Sequence, residues 1–457
     1  MPRTHALWIK IMIRNLFSPK TGIIKKINVL MRNPNQPRLH YMISTMCDTS
    51  RFSSQLNDFA ATGISMDQES AWWSALGEGI ERYCAVFADM HEQRFASYSN
   101  LQKAGLQALA PDYFCLFSEA QYQDNNFRYE KPDKNTMLCW IKGYTLPDYA
   151  SCYIPSALVF NAYQEQAEEQ RIVPNIHPGV ACGTELNQTI LAAVYEIIER
   201  DSMMIWWLNQ LPMPSITVPE QNRLHNIIAH NFPKMDKKNI ELSFVWLKND
   251  LDIPVVFCLL VDHCAQVVGG GCAARLNPEQ ALFKAFYEAV QTWLLALDLK
   301  RGDRGNVANL AQKGLFPKEV VSLTATTSPG TNILHNLLIY NDKKQWNALD
   351  LIRQTMNTVS LMDIPTPKRE GEVELGFTLK QIQKRGLKPI IVDLSTPDIT
   401  DVGLWVVRVY IPGMVPNTPT LYPPLGLNRL CNVPNILGFK TKEINKKVWN
   451  LSPLPYS

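Results

Sequence analysis

Apolar positions along this chain change their period several times, and each change marks an element. In TILAAVYEIIERDSMMIWW, residues 189–207, they occupy almost every face of a 3.6-residue repeat, which predicts a helix buried nearly all round. ALFKAFYEAVQTWLLAL, residues 281–297, predicts a second long helix, reached from VVGGG (267–271), which reads as a strand ending in a glycine turn. SALGEGIERYCA, residues 74–85, predicts a shorter helix of small residues suited to close packing. The runs IELSFVWL (240–247), IPVVFCLLVD (253–262), CYIPSALVF (152–160) and GLWVVRVYIPGM (403–414) predict strands. FTLKQIQKRGLKPIIVDLS (377–395) predicts a short helix stopped at Gly386 and then a buried strand. Residues 93–150 look irregular, and AATGIS (60–65) looks like a turn. The expected fold class is mixed α/β, with fused subdomains and no solenoid repeat.

Polar residues on the three helices are what packing alone does not explain. Glu78, Glu81 and Arg82 stand three and four residues apart, so they share one helical face. Glu196, Glu199 and Arg200 repeat the figure at the same offsets. Lys284, Glu288 and Gln291 form a third stripe on an otherwise apolar cylinder. A single E-x-x-E-R is an ordinary exposed ion pair worth about 0.2–0.5 kcal/mol. Two copies in apolar surroundings are different, because buried carboxylates need partners and one Arg for two Glu falls short. A bound cation would supply the missing charge. Convergent carboxylates suit a hard metal ion, and Mg²⁺ commonly accompanies phosphate.

Composition narrows the classes. At 457 residues the chain can bury a large core, and 46% hydrophobic with 19% charged residues is a globular balance. A net charge of +3 gives no reason to expect a nucleic-acid partner, and no apolar run is long enough to span a membrane. Charge is uneven, however: eight Lys and Arg precede Asp48, the first acidic residue. Residues 1–65 therefore read as a basic N-terminal arm for docking a partner, too interrupted by Lys10 and Arg14 for a signal peptide. Ten Cys without a C-x-x-C pair or zinc spacing, several in apolar settings such as Cys258, point to reduced thiols and a cytoplasmic protein. His177 has no nucleophile motif beside it, and the Trp pairs 72–73 and 206–207 read as core.

No G-x-x-x-x-G-K-[ST] and no kinase motif set occurs, so phosphate chemistry would rest on the carboxylate stripes, with Arg82, Arg200 and Lys284 covering charge. SALGEGIERY, ACGTELNQTILAAVYEIIERD and RLNPEQALFKAFYEAVQ, in this order, resemble the three nucleotide-binding segments of the YcaO family. The resemblance runs from about residue 60 to the end and implies a YcaO-like fold around an ATP/Mg site over residues 66–457. YIPSALVF and VVRVYIPGM resemble the subgroup that makes thiazole/oxazole-modified microcins. It implies an ATP-dependent cyclodehydratase in which a Cys, Ser or Thr side chain attacks the preceding amide carbonyl. The former amide oxygen is then phosphorylated and leaves as phosphate, giving a thiazoline or oxazoline. By resemblance, Glu78, Glu81, Glu196 and Glu199 hold Mg²⁺, and Ser74, Arg82, Thr184, Asn187, Gln188, Arg200, Lys284 and Glu288 line the ATP pocket with them. TGIS stands where the family often has Gly-Lys-Gly, Gln188 where a carboxylate is common, and Lys284 where Arg is usual, which loses a bidentate grip on phosphate. Thioamide or amidine formation and a non-catalytic peptide scaffold remain alternatives.

The last residues, SPLPYS, approach the P-x-P-x-P terminus of that subgroup, with Pro453 and Pro455 kept and Ser457 in place of the third proline. Proline stiffens the path, so such a tail can be aimed at low entropic cost. The resemblance implies that the Ser457 carboxylate transfers protons during cyclisation, with Tyr456 packed beside it. It further implies a precursor peptide as substrate, a separate leader-binding partner protein, a homodimer and, where rings are oxidised, a flavin-dependent azoline dehydrogenase.

Overall fold

A computed structural model describes residues 11–31, 36–51, 53, 60–88, 92–232, 239–302, 333–355, 357–369, 371–439 and 448–456. Three sheets carry the architecture. The first is an antiparallel meander of β1 (Ile24–Val29), β2 (His40–Met46) and β3 (Ala60–Ser65). Residues 60–65, which looked like a turn, are therefore its edge strand. The second sheet holds β4 (Gln93–Ser97), β5 (Met137–Thr145), β6 (Ser151–Pro155), β7 (Val180–Gly183), β13 (Ile390–Asp393) and β14 (Trp405–Tyr410), in the order β4-β5-β13-β14-β7 with β6 on β5. The third runs β11-β10-β9-β8-β12, from β8 (Ser215–Thr217), β9 (Ile240–Trp246), β10 (Val255–Asp262), β11 (Val267–Ala274) and β12 (Thr358–Ser360). The stretch 93–150 is thus more regular than its polar composition suggests: β5 is buried over Leu138–Ile141 and alternates only from Lys142 on, and β4 pairs with it along five residues.

The three expected helices are α1 (Gln68–Cys84), α2 (Leu186–Asn209) and α3 (Pro278–Lys300). Asp67 caps α1 by accepting from the Ser70 N–H, and Asn277 caps α3 by accepting from Glu279 and Gln280. Among the remaining helices, α4 (Glu374–Lys384) ends before Gly386, as its pattern indicates, and α5 (Arg429–Ile436) follows the proline-rich stretch. α2 is buried on most of its surface, with Trp206 and Trp207 at 0% and 1% exposure inside the largest hydrophobic core among the described residues. Trp72 and Trp73 depart from expectation: half-buried, they line a surface cavity of about 530 Å³ with Ile13, Asp67, Gln68 and Glu69.

The glycines of VVGGG do not turn. They lie inside β11, where a Cβ on Gly269 or Gly271 would come within 2.3 or 2.1 Å of α3 backbone oxygens. Close seating of α3 on the strand outweighs glycine's poor strand propensity. Among the described residues no helix is long and apolar enough to cross a membrane.

Candidate functional site

Each of the three sheets ends in an edge strand at one place: β3, β7 and β11. An edge strand leaves outward N–H groups without a ladder partner. Here glutamates take them. Thr62 N–H of β3 donates to Glu78 Oε2 at 3.0 Å, and Cys182 N–H of β7 donates to Glu81 Oε1 at 2.8 Å. On β11, Ala274 N–H donates to Glu199 Oε1 at 2.9 Å and Cys272 N–H to Glu288 Oε2 at 3.3 Å. Glu196 accepts from the Gly179 N–H at 2.8 Å, just before β7. Gly179 has φ +99, and a Cβ there would lie 2.4 Å from the Val409 carbonyl, so this donor requires glycine. Gln291 Nε2 of α3 donates to Thr62 Oγ1 at 2.6 Å, tying α3 to β3 and closing the ring of elements. The three polar stripes line this junction.

Charge is distributed unevenly around it. Glu199, 1% exposed, has Lys284 Nζ at 3.4 Å and Arg200 and Arg275 nitrogens each at 3.6 Å. Lys284 also sits 3.1 Å from Glu288. Burial works against the Glu288 charge, yet Lys284 and Arg200 outweigh it and hold its carboxyl below the usual range. Glu78 pairs with Arg82 at 2.6 Å, and Arg82 in turn donates to the Ala60 carbonyl. Glu196 lies 3.3 Å from Arg200. Glu81 is the exception, with no cation within ion-pair distance among the described residues. Burial pushes its carboxyl from 4.5 to about 8; Cys182 N–H pulls the other way, and the nearby Glu196 and Glu78 add to the rise.

These features fit a nucleotide and a divalent cation. Glu81 lacks a positive partner, and Arg200 Nη1 and Glu199 Oε2 are buried without a hydrogen bond among the described residues. No three His, Cys, Asp or Glu side chains converge there into a ready metal cluster among the described residues, so phosphate oxygens would have to complete the coordination. Ser74, Thr184, Asn187 and Gln188 are exposed, the last three at the start of α2, whose N-cap Glu185 makes no side-chain cap bond. They sit at the rim rather than in the charged centre.

The C-terminal stretch reaches the same centre. Trp207 Nε1 donates to the Ser452 carbonyl at 2.8 Å, and the Tyr340 hydroxyl donates to that of Pro453. Tyr456 lies under the Arg200 guanidinium, 4.5 Å from ring centroid to Cζ, and its hydroxyl donates to Glu288 Oε2 at 3.3 Å. Pro453 is thus held by Tyr340 and Pro455 lies against Gly270 of β11, with Tyr456 the tail residue that touches the polar stripes. Ser457 lies outside the described residues, as do Lys10 and the rest of residues 1–10.

Residues 62–415 match the sequence family described as YcaO cyclodehydratase, ATP-ad Mg2+-binding. The chain belongs to the YcaO family. ATP and Mg²⁺ are accordingly its cofactors. Among solved structures, this YcaO chain is similar to a heterocyclase in complex with substrate and cofactor (TM-score 0.72, 21% identity), covering 98% of this chain and 57% of that one. It is also similar to YcaO from Methanopyrus kandleri bound with AMPPCP and Mg2+ (TM-score 0.60, 16% identity, 91% of each chain). A third likeness is to the E. coli microcin synthetase McbBCD complex (TM-score 0.52, 13% identity, 84% of this chain and 86% of that one). The chain therefore spans little more than half the length of the heterocyclase.

Several residues of this YcaO site had no signal in the helix patterns. Arg275 ion-pairs with Glu199 and stacks on Tyr195, whose hydroxyl bonds Glu374. Arg408 is 1% exposed and donates to the carbonyls of Leu158, Ile176 and His177, which holds the loop carrying Gly179. His177 thus serves through its backbone. Arg429 bonds both Asp201 and Asp250 at 2.6–3.0 Å, locking α5 to α2 one residue beyond Arg200.

Proposed function

We propose that this chain is the cyclodehydratase component of an azoline-forming system, converting Cys, Ser or Thr of a ribosomally made precursor peptide to thiazoline or oxazoline. The observation that carries this reading is the proline-containing tail seated on Arg200 and Glu288, within the residues the YcaO resemblance assigns to ATP. Bound MgATP would supply the phosphoryl group that makes an amide oxygen a good leaving group.

The chain's own residues have distinct parts in this reading. Glu78, Glu81, Glu196 and Glu199 would hold Mg²⁺ together with phosphate oxygens, Glu81 with Glu78 and Glu196 on one side and Glu199 on the other. Arg82, Arg200 and Lys284 would offset charge on the phosphate, since fixed cations in a partly buried site favour developing negative charge. Ser74, Thr184, Asn187 and Gln188 border the nucleotide at the rim. In this reading the Ser457 carboxylate transfers protons during cyclisation, the role that the resemblance gives it. The nonpolar surroundings of α2 keep bulk water from the charged centre.

A separate leader-binding protein would present the precursor, docking on the basic N-terminal region, and a flavin-dependent dehydrogenase would oxidise the rings where that occurs. The E. coli McbBCD structure is a complex, in keeping with a multi-protein system. We also propose a homodimer, to be checked by light scattering. Peptide-dependent ATP use should rise when the leader-binding partner is added, and full activity of the isolated chain on leader-bearing peptide would remove that partner.

The test of the reaction is mass spectrometry of precursor peptide incubated with MgATP. Loss of one water per ring is expected with the intact chain and none after deletion of residues 453–457, at MgATP concentrations high enough to saturate the truncated chain. Wild-type dehydration by the truncated chain would refute the tail's part. Exchange of oxygen for sulfur without loss of water, or a loss of water that fragmentation traces to an amine nitrogen and not to Cys, Ser or Thr, would replace the azoline assignment.

A further inference from the structure

The middle glycine of β11 has a different neighbour from the other two. Gly269 and Gly271 face α3, but a Cβ on Gly270 would stand 2.0 Å from the Pro455 carbonyl oxygen and 3.0 Å from its carbonyl carbon. Alternation along the strand sends position 270 to the opposite face, where the tail crosses. The tail cannot keep this path over any residue with a side chain. Just beyond the crossing, Tyr456 is 5% exposed, packed on Arg200 and bonded to Glu288. Leu454 is equally buried, and its carbonyl accepts from Tyr456 N–H at 2.7 Å.

We infer that Gly270 is the seat of the C-terminal tail and Tyr456 its latch, so that tail docking and nucleotide binding are energetically coupled through Arg200 and Glu288. Both are positioning residues. Tyr456 fixes two side chains of the nucleotide pocket from behind, and any ligand that draws Arg200 or Glu288 into one orientation must favour or oppose the docked tail. Since the docked tail holds both groups in the pocket, docking strengthens MgATP binding. Linkage requires the reverse in equal measure: MgATP must strengthen docking. The inference rests on the reading of Arg200 and Glu288 as nucleotide-pocket residues. It does not depend on which peptide chemistry follows.

Two measurements on the full chain decide it. Calorimetric MgATP affinity is compared for the wild type, Gly270→Ala, Tyr456→Ala and Tyr456→Phe, alongside deuterium uptake of residues 448–456 with and without MgATP. Gly270→Ala and Tyr456→Ala are expected to weaken MgATP by about fivefold or more and to raise tail exchange. MgATP should slow tail exchange in the wild type. Tyr456→Phe keeps the ring on Arg200 and loses only the hydroxyl contact to Glu288, so it should fall between wild type and Tyr456→Ala, a partial rescue that general destabilisation would not give. Should Gly270→Ala fail to fold, the Tyr456 pair carries the test. Equal MgATP affinity in wild type and Tyr456→Ala, with tail exchange indifferent to MgATP, overturns the coupling alone. A wild-type chain that binds no MgATP overturns both the coupling and the nucleotide-pocket reading beneath it.

Discussion

The two E-x-x-E-R figures are nearly identical in sequence, and burial raises the inner carboxyl of each, Glu81 and Glu199, but only Glu199 has cations at ion-pair distance among the described residues. On α2, Glu199 is fully buried yet surrounded by Lys284, Arg200 and Arg275, two of which come from outside the helix. On α1, Arg82 pairs with Glu78 and the Ala60 carbonyl, and Glu81 has one backbone N–H, two neighbouring carboxylates and only the weak pull of Arg82. A spacing rule treats the copies alike, because it sees only what lies on the same helix. The fold gives one copy three cations from two helices and a loop, and leaves the other with none at ion-pair distance among the described residues. On the proposed reading, divalent metal would sit on the α1 side and phosphate against the cations of the α2 side.

The largest break in this comparison is Glu199→Gln. Removing one member of a buried charged group leaves Lys284, Arg200 and Arg275 crowded without their shared anion, at a cost of about 3–5 kcal/mol. Urea unfolding should show that loss together with lost MgATP binding. Glu81→Gln should separate the two effects, abolishing Mg²⁺-dependent nucleotide binding while leaving the metal-free fold at least as stable near pH 8.

The pH dependence has a definite sign. In the metal-free fold Glu81 keeps its proton to about pH 8, whereas its ordinary value is 4.5. Between those values the folded chain binds more protons than the unfolded one, so this group's contribution falls as pH rises, by at most about 1.4 kcal/mol per unit. Thermal melts in chelator should therefore lose stability between pH 5 and 8 less steeply in Glu81→Gln than in wild type; equal slopes would place the protonation elsewhere. The smallest expected change is Lys284→Arg, which offers a fork to phosphate but disturbs contacts to Glu199 and Glu288; MgATP affinity should shift only severalfold, by calorimetry.

The helices and their polar stripes were legible because a helix brings residues three and four apart together whatever surrounds it. Strands 240–247, 253–262 and 403–414 were legible because continuous apolar runs of that length suit buried strands. β11 was not, since three consecutive glycines favour a turn locally; it is a strand because α3 and the tail lie too close on its two faces for any Cβ. β3 hid for a similar reason, its small residues being chosen for the approach of α1. The edge-strand N–H donors to Glu78, Glu81, Glu199 and Glu288 are wholly non-local, as are Arg275 and the Tyr456–Arg200 stack. No periodicity reports such contacts. The patterns also could not show that Glu199 has ion pairs from outside its helix and Glu81 none among the described residues.

The most direct test of the central claim is the anomalous scattering of Mn²⁺ in crystals grown with Mn²⁺ and AMPPCP. The account expects a manganese peak coordinated by Glu81, with Glu78 or Glu196 in reach, and Arg200 and Lys284 turned to the phosphates. Manganese bound only beside Glu199 and Glu288, with Glu81 still on Cys182 alone, would contradict it.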